Sequence, residues 1–87
     1  MISDKTAATL AAIDEYEDGC YLNNVSDGRA RRGFALQDNS LVTTLKRFCD
    51  QGLIKREWKH FENTVYRLSA KGRRELKKYR KSREKEN

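Results

Sequence analysis

Apolar residues recur at helical spacing in two stretches of the chain. Leu10, Ile13 and Tyr16, with Ala7 behind them, mark a first amphipathic helix that Ser3 or Asp4 can cap and Gly19 ends. Leu41, Leu45 and Phe48, widened by Val42 and Cys49, mark a second, capped by Asp38, Asn39 or Ser40. Gly52 stands where a left-handed glycine closes such a helix. The period then changes from 3.6 to two. Ile54, Arg56 and Trp58 share one face of a strand, and Thr64, Tyr66 and Leu68 share a face of the next. These faces coincide when 54 pairs with 68, 56 with 66 and 58 with 64, which leaves a three- or five-residue turn centred near His60-Phe61-Glu62. The opposite face then holds Lys55, Glu57, Val65 and Arg67 and is solvated and basic. Ser69 caps a last helix anchored by Leu76 and Tyr79, and the KSREKEN end frays for want of apolar residues after Tyr79.

Residues 20–36, CYLNNVSDGRARRGFAL, admit two readings. As a helix the run must absorb Asn23, Asn24, Ser26, Asp27, Gly28 and Gly33, each glycine costing roughly 1 kcal/mol against alanine. As a hairpin, Cys20–Val25 and Ala30–Leu36 become strands around Ser26-Asp27-Gly28-Arg29, and Asp-Gly is a strong turn signal. The hairpin is the favoured reading, with Arg29, Arg31 and Arg32 on its second arm. The pattern as a whole describes a small α+β domain: about three helices and a C-terminal hairpin, with a second hairpin at 20–36.

Length adds that this is one domain, residues 1–79, followed by a basic tail over 80–87. A chain of 87 residues buries only roughly 60–65% of its unfolded surface, which disfavours a deep catalytic cleft. No stretch approaches the roughly 20 apolar residues of a membrane span, and the N-terminus lacks the basic region of a secretion signal, so a cytoplasmic protein is expected. Cys20 and Cys49 then default to free thiols packed as small hydrophobes, and the Asn24-Val25-Ser26 glycosylation pattern carries no weight.

Candidate chemistry is sparse. One histidine, His60, sits at a predicted turn tip, away from both cysteines, so no nucleophile–base pair suggests itself. Two cysteines and one histidine at wide spacing do not make a four-ligand zinc site, and GRARRG does not fit a phosphate-binding loop. The chain reads as a non-enzyme with no cofactor.

Charge is more informative. The net charge is +6, yet residues 1–20 sum to −4, residues 21–70 to +4 and residues 71–87 to +6. An acidic first helix ahead of a basic remainder points to a polyanionic partner, nucleic acid first. Ser40, Thr43, Thr44 and Arg47 occupy the polar side of the second helix and suit a major groove about 12 Å wide. Lys55, Arg56, Lys59 and Arg67 on the ribbon can straddle a backbone, although lysine on an edge strand also guards against aggregation. Trp58 and Tyr66 are better explained as a cross-strand core pair than as base-stacking residues. The Lys/Arg excess of the last helix finds no compensation within that helix.

The order LVTTLKRFCDQGLIKRE, hairpin, YRLSAKGRREL resembles the second half of a winged helix-turn-helix domain of the MarR/PadR kind. The matching residues are Gly52-Leu53-Ile54 with Arg56, then Leu68-Ser69-Ala70-Lys71-Gly72-Arg73 with Leu76. The resemblance implies a recognition helix over 40–51 with Ser40, Thr43, Thr44 and Arg47 facing DNA, and a wing over 55–67 with Lys59, His60 and Asn63 near its tip. Where that family has a scaffold helix, the hairpin reading of 20–36 gives a variant that brings Arg29, Arg31 and Arg32 to the surface. The expected function is sequence-specific binding of double-stranded DNA by a small homodimeric transcriptional regulator, associated with the nucleoid, without a small-molecule effector. The competing readings are a winged-helix adaptor that binds an acidic protein, and an RNA-binding module.

Overall fold

The computed structural model describes residues 2–59 and 63–86, with side chains excepted at 58, 59, 63, 85 and 86. The order of elements is α1 (Asp4–Asp14), α2 (Leu22–Arg31), α3 (Asp38–Asp50), β1 (Ile54–Lys59), β2 (Asn63–Leu68) and α4 (Ala70–Glu86). Ser3 caps α1, its side chain accepting from the Thr6 amide. Leu10 and Ile13 enter the core, whereas Tyr16 lies beyond the helix and is exposed.

The region 20–36 corrects the favoured reading: it is a helix, α2, not a hairpin. Asp27-Gly28 is not a turn. It lies inside α2 where that helix crosses α1, and a Cβ on Gly28 would fall 2.5 Å from the Ala12 Cβ. The glycine therefore serves close helix–helix approach, and the packing offsets its weak helix propensity. Arg29, expected on the surface, is only 3% exposed. Its guanidinium donates to the Phe34 carbonyl and to the Thr9 hydroxyl, while Thr9 in turn donates to the Lys5 carbonyl. A cation in the last turn of α2 also complements the negative end of its dipole. A trace of β structure survives at the start of the segment. Cys20 and Tyr66 exchange both backbone hydrogen bonds, at 3.0 and 2.8 Å, so β2 is flanked on both sides.

The remaining elements follow the periodicity closely. Leu41, Leu45 and Phe48 are buried along α3, which starts at Asp38 with Gln37 at the N-cap, ahead of Asp38, Asn39 and Ser40 as read for the cap. Gly52, at φ +77°, ends α3. Its amide reaches the Cys49 carbonyl and that of Leu53 reaches the Phe48 carbonyl, the paired bonds of a Schellman motif. The ribbon has the predicted register: Ile54 opposite Leu68, Arg56 opposite Tyr66, Trp58 opposite Thr64. Ile54, Tyr66 and Leu68 face the core as expected. Val65, placed by its alternation on the solvated face, is buried instead because the chain near Gly19 folds over it. The predicted turn over 60–62 and the inward Trp58 side chain lie outside the described residues.

Ser69 caps α4, its hydroxyl accepting from the Gly72 amide at 2.9 Å and donating to the Gly52 carbonyl. The Ser69 amide bonds to the Leu53 carbonyl, so the end of α3 and the start of α4 are stitched together. A side chain on Gly72 would run into the Leu53 carbonyl. The glycine in LSAKGRREL thus marks the place where α4 begins directly on the backbone entering β1. Helix α4 continues through Glu86, into the KSREKEN end where fraying is expected. Leu76 is buried beneath it and Tyr79 packs against the core.

Candidate nucleic-acid interface

Helix α3 packs on α2 and β1 through Leu41, Leu45 and Phe48, which turns the opposite arc outward. Asn39, Ser40, Val42, Thr43, Lys46 and Arg47 are all exposed on it, and Thr44 is half-buried at its margin. Thr43 is not a free hydroxyl, because its Oγ1 donates to the Asn39 carbonyl at 3.1 Å. The Arg47 guanidinium lies 5.5 Å from the centroid of the Phe48 ring, within cation–π range. Sequence reasoning placed Ser40, Thr43, Thr44 and Arg47 on the polar side, which takes in Thr43 at the centre of the arc and one of its flanks. It missed Asn39 and Lys46. The signal was present: positions 39, 43 and 46 sit diametrically opposite the Leu41–Leu45–Phe48 stripe.

Val42 is a further correction. Read as widening the apolar stripe, it is 43% exposed. It borders an open groove of about 510 Å³ walled by Tyr21, Leu22 and Asn23 from the start of α2, Asp38 from α3, and Arg56, Thr64 and Tyr66 from the ribbon. The Tyr21 amide donates to the Asn24 Oδ1 at 3.0 Å, which fixes the first turn of α2 on that wall.

On the ribbon, Lys55 and Arg56 are exposed. Arg67 stands opposite Lys55 on the same face, away from Arg56, its Nη2 3.9 Å from a Glu57 carboxylate oxygen and its Nε buried without a hydrogen-bond partner. The side chains of Lys59 and Asn63, and His60 altogether, lie outside the described residues. The structure therefore gathers α3 and the base of the ribbon. It does not bring Arg29, Arg31 and Arg32 to them. Arg31 and Arg32 both hold Glu15, at 2.9 and 2.6 Å, and keep its carboxyl below the usual range, the Arg32 hydrogen bond contributing most.

That pairing belongs to a wider pattern. Arg80 bonds to Asp14 at 3.3 Å, and Arg83 and the Tyr79 hydroxyl both donate to Asp4, at 2.8 and 2.6 Å. Asp14 and Glu15, at the end of α1 where the helix dipole disfavours anions, are thus taken up by cations of α4 and α2. Part of the basic excess of α4 is structural after all. By contrast, Lys46, Lys55 and Arg56 have no carboxylate partner among the described residues.

Two thiols complete the inventory of reactive groups. Both are free, and burial pushes the Cys20 thiol up to about 11 and raises that of Cys49, so neither is a thiolate at neutral pH.

Four helices around an antiparallel ribbon, with α2 and α3 joined by six residues and followed by the ribbon and α4, form an arrangement shared with solved transcriptional regulators. BpsR of Bordetella bronchiseptica, whose DNA binding is regulated by 6-hydroxynicotinic acid, superposes with a TM-score of 0.75 at 15% identity, over 97% of this chain and 56% of that one. A MarR-family regulator from Rhodococcus sp. RHA1 gives 0.72 at 22% identity, over 94% and 54%. A PadR-family regulator from Eggerthella lenta gives 0.68 at 21% identity, over 85% and 69%. The chain has the winged helix-turn-helix fold. In its terms α2 and α3 are the helix-turn-helix, α3 being its second helix, and β1 and β2 are the wing. The chain spans just over half the length of the Bordetella and Rhodococcus proteins. No family model and no curated protein matches its sequence. The solved neighbours are regulators rather than enzymes, and among the described residues no helix is long and apolar enough to cross a membrane.

Proposed function

We propose that this winged helix-turn-helix binds double-stranded DNA with sequence specificity and serves as a small transcriptional regulator. The recognition helix enters the major groove, where Ser40, Thr43, Thr44, Lys46 and Arg47 meet base edges and phosphates. The wing follows the backbone into the adjoining minor groove through Lys55 and Arg56, with Lys59, His60 and Asn63 toward its tip. Two copies related by a two-fold axis read half-sites about one helical turn apart.

The observation that carries this reading is the distribution of pairing. The cations of α2 and α4 facing α1 are spent on its carboxylates, whereas Lys46, Lys55 and Arg56, on the recognition helix and wing, have no carboxylate partner among the described residues. A structural role accounts for the first group; the second, like Arg47 of α3 and Arg73, Arg74, Lys77 and Lys81 of α4, has no carboxylate partner among the described residues and is open to a polyanion.

A mobility-shift titration against salt tests it. With roughly six phosphate contacts, affinity falls by about a thousandfold between roughly 50 and 200 mM salt, and K55A or R56A each lowers the slope by about one unit. Binding that is indifferent to salt, or no binding to duplex DNA in roughly 50 mM salt, refutes the reading.

A further inference from the structure

The outward arc of the recognition helix is not uniformly polar. Asn39, Val42 and Lys46 follow one another at spacings of three and four residues, so an amide, an isopropyl group and an ammonium form one stripe along it. Val42 is the exposed large apolar residue of α3. Beside it, Thr43 has turned its hydroxyl back to the Asn39 carbonyl, which leaves its methyl as the uncommitted branch. Scattered exposed apolar residues need no explanation on an ordinary surface. Here the residue sits at the margin of the outward arc of α3, next to a groove it shares with Arg56 of the wing.

The major-groove edge of a base pair offers donors, acceptors and one apolar group, the C5-methyl of thymine. An aliphatic side chain held at that edge has one complementary partner. We infer that Val42 is a specificity-determining residue whose isopropyl group, flanked by the Thr43 methyl, packs on a thymine methyl of the target site. This rests on the DNA-binding reading above and adds to it the base being read. Asn39, one turn earlier on the same stripe, is placed to pair with an adenine at N6 and N7, so the half-site contains an A·T step.

Selection from random duplexes, followed by single thymine-to-deoxyuridine replacement in the selected site, tests the inference with the intact protein. Removing one methyl that the wild type buries lowers affinity by about fourfold, the equivalent of one methylene-sized group. The Val42→Ala variant, which keeps the fold because alanine is the better helix former, is insensitive to the same replacement. The inference is overturned if the protein selects a defined site in which no thymine-to-deoxyuridine replacement weakens the wild type. It is equally overturned if Val42→Ala loses as much as the wild type at every position. Failure to enrich any sequence overturns the DNA-binding reading itself, and this inference with it.

Discussion

Replacing Gly28 by alanine probes the crossing on which α2 depends. An added Cβ would stand 2.5 Å from the Ala12 Cβ and 3.2 Å from its Cα, against a comfortable carbon–carbon separation of about 3.5–4.0 Å. Helices α1 and α2 must then part by about 1 Å, and Leu10, Ile13 and Val25 on their facing sides lose contact with them. Overpacking of this kind costs about 1–3 kcal/mol, and the better helix propensity of alanine returns about 1 kcal/mol. The net expectation is a loss of about 1 kcal/mol, or about 4–8 °C in Tm for a domain of this size. Ala12→Gly alone should cost about 2 kcal/mol, from propensity and a lost buried methyl. Combined, the two changes swap the methyl from one helix to the other and remove the collision. The double variant should therefore recover at least about 1 kcal/mol relative to the sum of the singles. Urea unfolding followed by circular dichroism measures all four species. If the effects add within about 0.5 kcal/mol, or if Gly28→Ala alone is more stable than wild type, the close-approach account of Gly28 is wrong.

Four more outcomes are expected. Arg29→Met should cost about 1–3 kcal/mol in the same unfolding assay, because it removes the side-chain donor to the Phe34 carbonyl and one of the two hydrogen bonds of the Thr9 hydroxyl, whereas Arg31→Ala should stay within about 0.5 kcal/mol, its ion pair with Glu15 being solvated. Equal effects would contradict the assignment of Arg29 to the interior. Glu15 is depressed below its ordinary 4.5, by Arg32 first, so its contribution is present above that pH and is lost as pH falls through the folded value. Arg32→Ala should accordingly flatten the acid limb of the stability curve, and an unchanged limb argues against the pairing. Cys20, raised from 9.0 to about 11 by burial, stabilises the fold fully below pH 9.0 and loses that contribution as pH rises toward 11; a Cys20→Ala variant should show a shallower alkaline decline. Gly72→Ala should destabilise by about 1–3 kcal/mol despite the gain in propensity, since the obstacle is the Leu53 backbone carbonyl; a stabilised variant would show that α4 can shift freely.

What the sequence made legible was local. The ribbon register follows from alternation around Ile54, Tyr66 and Leu68, and the end of α3 follows from Gly52, because each is decided by neighbours a few residues away. Helix α2 was misread because its causes are distant. Val25 is its one fully buried aliphatic residue, too little to show a period, and Gly28 and Arg29 answer to Ala12 and Thr9 on another helix. The basic excess of α4 was likewise opaque, since Arg80 and Arg83 find their carboxylates on α1, 66 and 79 residues away in the chain. On α3, Ser40, Thr43, Thr44 and Arg47 could be placed on the polar side, but the exposed arc extends further, to Asn39 and Lys46. Apolar Val42 pulled the apparent core stripe toward itself and hid Asn39 and Lys46.

The Asp4–Tyr79–Arg83 contact has a mechanical consequence. It fastens the first residue of α1 to the last turns of α4, so the two ends of the folded unit lie side by side. Tension applied through those ends opens the contact like a zipper, one bond at a time, and peels α4 from α1 before it reaches the ribbon or α3. A short bridge joining the same ends would instead close the chain into a ring without disturbing the helix-turn-helix, leaving the wing as the place to cut it open.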